Sequence, residues 1–416
     1  MQDSTSRRRR SPSAAHQHRT VRDASRGRRD AVSGRTVAVR AINHLIDIGV
    51  DAGVRRDLLT GAAGVTDDGL PDPDARAARH ARWPKVPAVP WRIVIDVLAA
   101  DPLPAVVHAG VTTLFTLHQL PAAGGRDAFF AEVGPRIRAL VRGGHAHIDR
   151  TLIERLPKLE IVASFGVGYD GIDLAAAAER GVIVTNTPDV LTEEVADTAL
   201  GLLLMTVRGL SAAERYLRDG RWPVEGQYPL SPSLRDRVVG IVGLGRIGLA
   251  IARRLDAMKV GVVYHSRRPR AEAPYRHYDD LRAMAADVDV LLVIVPGTAA
   301  TRHLIDATVL EALGPDGILI NVGRGSVVDE AALVSALKDG TIRSAGLDVF
   351  ENEPHVPAEL LALPNAVLLP HVGSASVFTR NAMGSLVVDN LESWFRDGKP
   401  LTPVPETPWP ARPTNT

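Results

Sequence analysis

The stretch from Val238 to Arg268 decides the fold and reads VVGIVGLGRIGLAIARRLDAMKVGVVYHSRR. It begins with a short apolar run that ends at Val242, continues with an amphipathic helical pattern, and closes with a second apolar run over Val260–Tyr264. This order predicts a strand, a tight turn, a helix and a second strand. The turn contains three glycines with G-x-G-x-x-G spacing, at Gly243, Gly245 and Gly248.

This glycine pattern is typical of a dinucleotide-binding turn when a strand precedes it and a helix follows. Gly243 permits the tight turn, Gly245 lets the backbone approach a pyrophosphate, and Gly248 lets the helix pack closely on the strand. The free N–H groups at the helix N-terminus would bind that pyrophosphate. The spacing alone would indicate only a glycine-rich turn, but the flanking elements favour a nucleotide site.

The end of the second strand indicates which nucleotide binds. An acidic residue about 20 residues beyond the glycines usually accepts hydrogen bonds from the ribose 2′-hydroxyl of NAD. This chain has Ser266, Arg267 and Arg268 at that place, and no Asp or Glu lies between Asp256 and Glu272. Because guanidinium groups make bidentate bonds to phosphate oxygens, we expect NADP(H) to be preferred, with NAD(H) possible. The alternative is a solvated basic turn.

Length and composition indicate a two-domain globular protein with additional segments. The chain has 416 residues, more than a single hydrophobic core usually supports. It has no cysteine, which excludes disulfides, thiolate metal ligands and thiol catalysis. Its net charge of +1 gives no global attraction to nucleic acid, and no apolar run reaches the roughly 18 residues of a membrane span. We expect a cytoplasmic protein with no metal site, no membrane association and no nucleic-acid partner for its core.

Residues 1–91 differ in composition from the rest. The first 40 residues contain eleven arginines and few large apolar side chains. We therefore expect a basic, largely disordered extension with a short helical segment. A targeting peptide and a nucleic-acid-binding arm are the alternatives to a solvated tail.

The helical segment begins with the run VAVRAINHLIDIGVDAGVRRDLLTGAAG at Val37 and continues to PDPDAR. Residues 37–76 resemble the start of the ligand-binding region of AraC-type transcription regulators. No paired helix-turn-helix domain of that family follows in the sequence. We interpret the segment as a truncated fusion or a misplaced start codon.

Strand-like runs alternate with helical stretches on both sides of the glycine turn, which predicts mostly parallel α/β sheets. The runs before the turn are Ile93–Val97, Val111–Leu117, Ala139–Val141, Glu160–Ala163 and Val182–Thr185. Those after it are Val288–Val295, Gly317–Val322, Ser344–Val349 and Val367–Leu369. A long apolar helix over Thr192–Leu210 would connect two lobes and act as their hinge.

Three consecutive strands are followed by candidate catalytic side chains, Arg324, Glu353 and His371. Ligands bind at the carboxyl edge of open α/β sheets, so these residues would face the nucleotide. Together they supply a cation for a carboxylate, a proton donor, and a carboxylate that tunes the donor. Taken singly, each is also compatible with a solvated loop residue. A further glycine loop follows Ile161, where the N–H groups of Val167 and Gly168 could bind a small carboxylate.

Several motifs together resemble the D-isomer-specific 2-hydroxyacid dehydrogenase family, and within it the glyoxylate/hydroxypyruvate reductase branch. They are VGYDGID, TPDVLTEEVAD, VGIVGLGRIG, NVGRGSVVDE, GLDVFENEP and LPHVGSAS. The resemblance covers roughly residues 93–403. It implies two Rossmann-like domains, a flavodoxin-like substrate domain and a dinucleotide-binding domain, in a homodimer. It also implies NADPH-preferring reduction of glyoxylate and hydroxypyruvate to 2-hydroxy acids by hydride transfer.

The resemblance assigns roles to individual residues. It makes His371 the proton donor, Glu353 the residue that tunes it, and Arg324 the catalytic group that binds the substrate carboxylate. Val167, Gly168 and Ser374 would complete the substrate site. The cofactor contacts, besides the three glycines and Ser266–Arg268, would be Thr192, Arg246, Ile247, Pro296, Val322, Asp348 and Gly373.

The family resemblance leaves a second function open. The family includes transcriptional corepressors that dimerise around NAD(H), so a non-catalytic NAD(H)-sensing corepressor or regulator is the alternative. The segment 37–76 adds a ligand-responsive regulator as a third possibility. For the domain organisation we predict the extension at 1–91, a substrate-binding domain at 92–191 and 371–403, and a dinucleotide-binding domain at 192–370.

Overall fold

The computed structural model describes residues 94–144 and 146–407. The predictions made for residues 1–93, namely the basic extension, the short helical segment and the resemblance of residues 37–76 to transcription regulators, lie outside the described residues.

The first sheet consists of five parallel strands. They are β1 (Asp96–Ala99), β2 (Thr116–Gln119), β3 (Ile137–Arg142), β4 (Ile161–Ser164) and β5 (Ile183–Thr185). Their spatial order is β2-β1-β3-β4-β5, which is the flavodoxin-like order. In the central register Ala139 lies opposite both Val97 and Ile161. All of β4 is buried, as expected for a parallel strand covered on both faces.

Four helices belong to this part of the chain: α1 (Ala105–Leu114), α2 (Arg126–Glu132), α3 (Arg150–Glu154) and α4 (Leu174–Glu179). The strand predicted over Val111–Leu117 is wrong, because only Thr116–Gln119 forms a strand and Val111 lies in α1. Val107, Val111 and Phe115 are fully buried at intervals of four residues. That spacing forms one face of a helix, and the β-branched residues of the segment obscured it.

The second sheet consists of seven parallel strands. They are β6 (Val238–Val242), β7 (Gly261–His265), β8 (Arg276–Tyr278), β9 (Val290–Val293), β10 (Ile318–Asn321), β11 (Ser344–Leu347) and β12 (Ala366–Leu368). Their order is β12-β11-β10-β9-β6-β7-β8. The doubly wound order confirms the prediction of two Rossmann-like α/β sheets. The sequence did not predict β8, a three-residue edge strand.

Nine more helices are described after β5. They are α5 (Thr192–Arg208), α6 (Leu210–Arg218), α7 (Trp222–Glu225), α8 (Arg246–Ala257), α9 (Leu281–Asp287), α10 (Ala307–Leu313), α11 (Glu330–Lys338), α12 (Ala358–Leu361) and α13 (Val377–Asp397). Helix α5 ends before the predicted Leu210, because Gly209 adopts a left-handed conformation with φ of 60°. Helix α13 packs through Met383, Val387 and Leu391 on the first sheet. The domain boundaries at 191/192 and 370/371 stay predictions.

No single helix in residues 94–144 and 146–407 is long and apolar enough to cross a membrane. Helices α5 and α6, which meet at a bend of 65°, satisfy the length and composition criteria only as a pair.

Candidate active site

The glycine turn after β6 has the shape that a dinucleotide pyrophosphate requires. Gly243 has φ of 103°, and a Cβ there would lie 2.6 Å from Val295 Cγ1. A Cβ on Gly248 would lie 2.1 Å from the carbonyl oxygen of Gly243, so helix and strand meet closely at this point. Around Gly245 there is open space, and Arg246 begins α8 with its side chain exposed. The backbone is therefore open to a ligand at the N-terminus of α8.

The basic residues after β7 are available to a phosphate. The hydroxyl of Ser266 donates to the carbonyl of Arg268 at 2.7 Å, and Nε2 of His277 lies 2.9 Å from the carbonyl oxygen of Ser266. These contacts hold the turn. Arg267 and Arg268 are exposed, and neither forms an ion pair within the described part of the chain. Two guanidinium groups thus face solvent where an NAD-binding fold places its ribose.

Asp348 orders the loop that carries the candidate proton donor. Its buried carboxylate accepts hydrogen bonds from the N–H groups of Val372 (2.7 Å) and Gly373 (2.8 Å). Its carbonyl oxygen accepts from the N–H of His371 at 2.9 Å. Burial raises the pKa of the Asp348 carboxyl, although the two N–H donors act against it. These bonds hold His371 in a left-handed conformation, with φ of 52°, that non-glycine residues rarely adopt.

His371 and Glu353 form a hydrogen-bonded pair. Nδ1 of His371 lies 2.6 Å from Oε2 of Glu353, while Oε1 of Glu353 accepts from the N–H of Phe350 at 3.1 Å. Burial acts to raise the pKa of the Glu353 carboxyl, but the hydrogen bond and charge of His371, the Phe350 N–H and the charge of Arg324 together hold it below its usual range. Glu353 is therefore an anion at neutral pH, and Nε2 of His371 is left for another partner.

Arg324 extends from the loop after β10 to the loop after β4. Its Nη1 donates to the carbonyl of Gly323 at 2.8 Å, and its Nε donates to Asp170 Oδ1 at 3.1 Å. A Cβ at residue 168 would lie 1.5 Å from Nη2 of Arg324, so only glycine fits there. The side chain of Asn321 fixes this loop, since it accepts from the Gly323 N–H and donates to the Arg324 carbonyl.

The loop after β4 offers two unused N–H groups. Within the described residues, the N–H groups of Val167 and Gly168 donate no hydrogen bond, whereas that of Gly166 donates to Thr187 Oγ1 at 3.1 Å. Asn186 donates to the Val167 carbonyl at 2.9 Å and steadies the loop. A small carboxylate could therefore bind to the two N–H groups beside the guanidinium of Arg324.

The other predicted contact residues lie in turns or at helix ends near the carboxyl edge of the second sheet. Thr192 begins α5, and Ile247 lies in the first turn of α8. Pro296 lies in the loop after β9, close to Arg324, since a Cβ on the next residue, Gly297, would lie 3.1 Å from Arg324 Cγ. Val322 follows β10 and donates to the Val293 carbonyl at 3.1 Å. Ser374 is half-buried, directly after Gly373.

Three charged residues at the site were missed in the sequence. Asp170 is the ion-pair partner of Arg324 and lies between Gly168 and Gly171 in the VGYDGID motif. A charged residue in a glycine loop was the sequence feature that could have indicated it. Arg142 is buried and ends β3 at the carboxyl edge of the first sheet, one residue beyond the predicted strand. Asp189 pairs with Arg246 at 2.9 Å across the start of α8, and nothing in the sequence indicates that contact.

Comparison with known proteins identifies the family. Residues 200–373 match the family model described as D-isomer specific 2-hydroxyacid dehydrogenase, NAD binding domain. The chain is 46% identical over 310 residues to glyoxylate/hydroxypyruvate reductase A of Arabidopsis thaliana, covering 74% of this chain and 99% of the relative. It is 47% identical over 311 residues to hydroxyphenylpyruvate reductase of Plectranthus scutellarioides, with the same coverage of 74% and 99%.

A solved structure agrees with these relatives. The crystal structure of the NADPH-dependent glyoxylate/hydroxypyruvate reductase of Sinorhizobium meliloti, in complex with NADP and malonate, is similar to this chain with a TM-score of 0.72. The two sequences are 54% identical, and the match covers 77% of this chain and 99% of that one. The chain therefore belongs to the D-isomer specific 2-hydroxyacid dehydrogenase family. It is an NAD(P)-dependent oxidoreductase, as the motifs predicted, and the relatives named here give no support to the regulator alternatives.

Proposed function

We propose that this protein reduces glyoxylate and hydroxypyruvate to their 2-hydroxy acids, with NADPH as the preferred reductant. The observation that carries the proposal is the convergence of three groups from the loops of both sheets. They are the guanidinium of Arg324, the hydrogen-bonded pair of His371 and Glu353, and the free N–H groups of Val167 and Gly168. Relatives named as reductases of these two substrates support the choice of small 2-keto acids.

The proposed role of each residue follows from the negative charge that develops on the substrate during hydride transfer. A bound nicotinamide would supply a hydride to the keto carbon, and negative charge then grows on the carbonyl oxygen. Arg324 and the N–H groups of the loop after β4 bind the carboxylate, and Arg324 also stabilises that oxygen. His371 delivers the proton from Nε2 as general acid. Glu353, held as an anion at Nδ1, favours the imidazolium form that carries this proton.

The preference for NADPH is supported by the charges at the end of β7. Arg267 and Arg268 offer hydrogen bonds to a 2′-phosphate, Ser266 could do so if its hydroxyl turned away from the Arg268 carbonyl, and the sequence there has no carboxylate that would repel the phosphate. A similar enzyme from Sinorhizobium meliloti is NADPH-dependent and binds NADP. The pyrophosphate would bind at the glycine turn, and Thr192, Arg246, Ile247, Pro296, Val322, Asp348 and Gly373 complete the proposed cofactor contacts.

We also propose that residues 92–191 and 371–403 form the substrate-binding domain, residues 192–370 the dinucleotide-binding domain, and that the protein is a cytoplasmic homodimer. Four exposed apolar side chains in α6, in α7 and after it support self-association: Leu217 (56% exposed), Trp222 (57%), Val224 (84%) and Leu230 (102%). Light scattering of the purified protein over a range of concentrations tests the dimer, and a monomer at all of them contradicts it.

Steady-state kinetics test the activity. Loss of nicotinamide absorbance is followed with glyoxylate, hydroxypyruvate and, for comparison, hydroxyphenylpyruvate and 2-ketogluconate, the substrates in the names of two other relatives. We expect the highest kcat/KM for glyoxylate or hydroxypyruvate with NADPH. Higher values for the two bulkier acids would change the substrate assignment and leave the reaction class intact. No turnover of any of the four would contradict the proposal.

A further inference from the structure

The ion pair between Asp170 and Arg324 determines how the guanidinium group faces the substrate loop. Asp170 accepts from Nε at 3.1 Å, and the carbonyl of Gly323 accepts from Nη1 at 2.8 Å. A guanidinium carries five N–H donors, so these two contacts leave three on the Nη groups. Nη2 lies directly over Gly168, 1.5 Å from the position of a Cβ. The free donors therefore lie beside the unused N–H groups of the substrate loop.

Asp170 lies between two arginines, and each arginine side chain passes close to a glycine whose added Cβ would collide with it. On one side Arg324 crosses Gly168, and on the other side Nη2 of Arg142 lies 2.6 Å from where a Cβ on Gly171 would be. The two guanidinium groups differ in whether they can contact a substrate. The Arg142 side chain is buried, and it donates through Nε to the carbonyl of Ala146 at 2.6 Å, within its own loop. Arg324 is the cation whose Nη groups remain available.

The buried guanidinium of Arg142 interacts with the charges on both sides of it. Burial lowers the pKa of Arg142, while the negative charges of Asp101 and Asp170 raise it and the charge of Arg324 lowers it. Asp170 therefore has a cation on each side, with Arg324 hydrogen-bonded to its carboxylate. A charge held in this way accepts a hydrogen bond strongly and in one direction.

We propose that Asp170 is a positioning residue that orients Arg324 through Nε and does not itself contact the substrate. Two opposing effects follow from this role. The hydrogen bond to Nε directs the Nη groups toward a substrate carboxylate, which favours binding. The negative charge offsets part of the positive charge of Arg324, which weakens binding. The inference rests on the proposed function, since it concerns the carboxylate of a 2-keto acid.

Two substitutions separate these effects. Asp170→Ala removes both the acceptor and the charge, so Arg324 loses its orientation. We expect KM for glyoxylate to rise and kcat/KM to fall by about 10²-fold, the cost of misplacing a binding group by about 1 Å. Asp170→Asn keeps an oxygen that accepts from Nε and removes only the charge. It should lose no more than about fivefold in kcat/KM, the difference between a charged and a neutral hydrogen bond, with an unchanged or lower KM.

A carboxylate outside the candidate site provides the matched control. Glu179 pairs with Arg150 through two hydrogen bonds, at 2.6 and 3.1 Å, on the surface of the same lobe. Glu179→Ala should leave kcat and KM unchanged. Melting temperature and the Kd for NADPH are measured for every variant, because a merely structural effect of Asp170 would alter them together with KM. If Asp170→Ala does not fold, Asp170→Ser takes its place, since serine also removes the charge and withdraws the acceptor.

A double substitution tests whether Asp170 acts through Arg324. In the Arg324→Ala background there is no guanidinium to orient, so adding Asp170→Ala should change kcat/KM by less than about twofold. Independent sites would instead give additive losses. An equal loss in both backgrounds would overturn the proposal. An equal loss of kcat/KM in Asp170→Asn and Asp170→Ala would overturn it as well. An Asp170→Ala variant with the same kcat and KM as Glu179→Ala would also overturn it.

Malonate, an unreactive dicarboxylate, separates failure of this inference from failure of the proposed function. Its Kd for the complex with NADPH is measured by calorimetry and needs no turnover. We expect about tenfold weaker binding for Asp170→Ala and equal or tighter binding for Asp170→Asn, the range of a hydrogen bond to a charged group. If the wild-type protein reduces neither keto acid, the proposed function fails and the malonate series decides the role of Asp170 alone. Equal malonate affinity in all variants overturns the inference.

Discussion

Nδ1 of His371 lies 2.6 Å from Oε2 of Glu353, and the two residues leave neighbouring strands of the second sheet, β12 and β11. Each is also fixed by the backbone, Glu353 by the Phe350 N–H and His371 by the carbonyl of Asp348. The pair therefore has one orientation in which a single ring nitrogen, Nε2, is free. This geometry makes several predictions about pH and catalysis.

The first prediction concerns pH. The lowered pKa of Glu353 keeps it ionised at neutral pH, where its charge favours the imidazolium of His371. Glu353→Gln keeps the shape and removes the anion that favours a proton on His371. Because reduction consumes that proton, the limb of the kcat/KM profile should move to lower pH, with activity recovered in acid. A profile that only scales down, with no acid shift, contradicts the coupling.

The second prediction separates proton donation from binding. His371→Ala removes the general acid, and kcat should fall by about 10²–10⁴-fold. The Kd for malonate should change far less, because the proposed carboxylate contacts are Arg324 and the loop after β4. Stopped-flow measurements with NADPH check the loss in kcat, and equilibrium binding measurements with NADPH present check the Kd for malonate. Comparable losses in kcat and in malonate binding would mean that His371 serves binding instead.

The third prediction concerns the coenzyme. Arg267→Ala combined with Arg268→Ala should reduce kcat/KM for NADPH and leave that for NADH nearly unchanged. Loss of a charge-assisted hydrogen bond costs about 1.5–3 kcal/mol per residue. Arg276→Ala is a suitable control, because this arginine is also exposed but lies in β8, outside the turn after β7, and stacks on Tyr278 at 4.3 Å. A wild-type protein that prefers NADH would contradict the assignment.

The fourth prediction tests the close approach at Gly168. A Cβ there would overlap Nη2 of Arg324, so Gly168→Ala should displace the guanidinium and lower kcat/KM by about 10²-fold. Gly201→Ala is the matched control, because no atom lies within 4 Å of its added Cβ in α5. Alanine favours a helix over glycine by up to about 1 kcal/mol, so Gly201→Ala should be equally active and at least as stable. Equal kinetics for the two variants would refute the steric argument.

The fifth prediction concerns the N-terminal segment. The family motifs begin after residue 93, so a chain that begins at Trp91 should fold and keep its kcat/KM. Melting temperature and kinetics of the shortened and full-length proteins are compared. An insoluble or inactive shortened protein would show that the first 90 residues belong to the fold.

The sequence predicted those parts of the fold that depend on local pattern. The strand over Val238–Val242 and the helix after it follow from a short apolar run, a glycine turn and an apolar face with a helical period, and the structure has them at the expected residues. The same reasoning failed at Val111–Leu117, where β-branched residues suited either structure and burial against α13 selected the helix. Local pattern alone did not distinguish these alternatives.

The missed part of the candidate site depends on contacts between distant residues. Arg324 and Asp170 are separated by 154 positions, and their pairing requires the two sheets to meet. Sequence pattern placed each of them in a loop but carried no information on which loops approach each other. Arg142 was missed for a different reason, since the predicted strand ended at Val141, one residue before the observed end of β3.

The proposed proton-transfer pair and the proposed substrate loop follow strands of different sheets, and this separation bears on how specificity can change. His371 and Glu353 follow β12 and β11, whereas Val167 and Gly168 follow β4. A laboratory selection for larger keto acids should therefore accumulate substitutions in the loops of the first sheet while the chemical step is retained. Asp170 is the exception, because it lies in a loop of the first sheet and forms an ion pair with Arg324, the proposed catalytic cation in a loop of the second. Libraries that leave this single position unvaried should yield more active variants than libraries that randomise it.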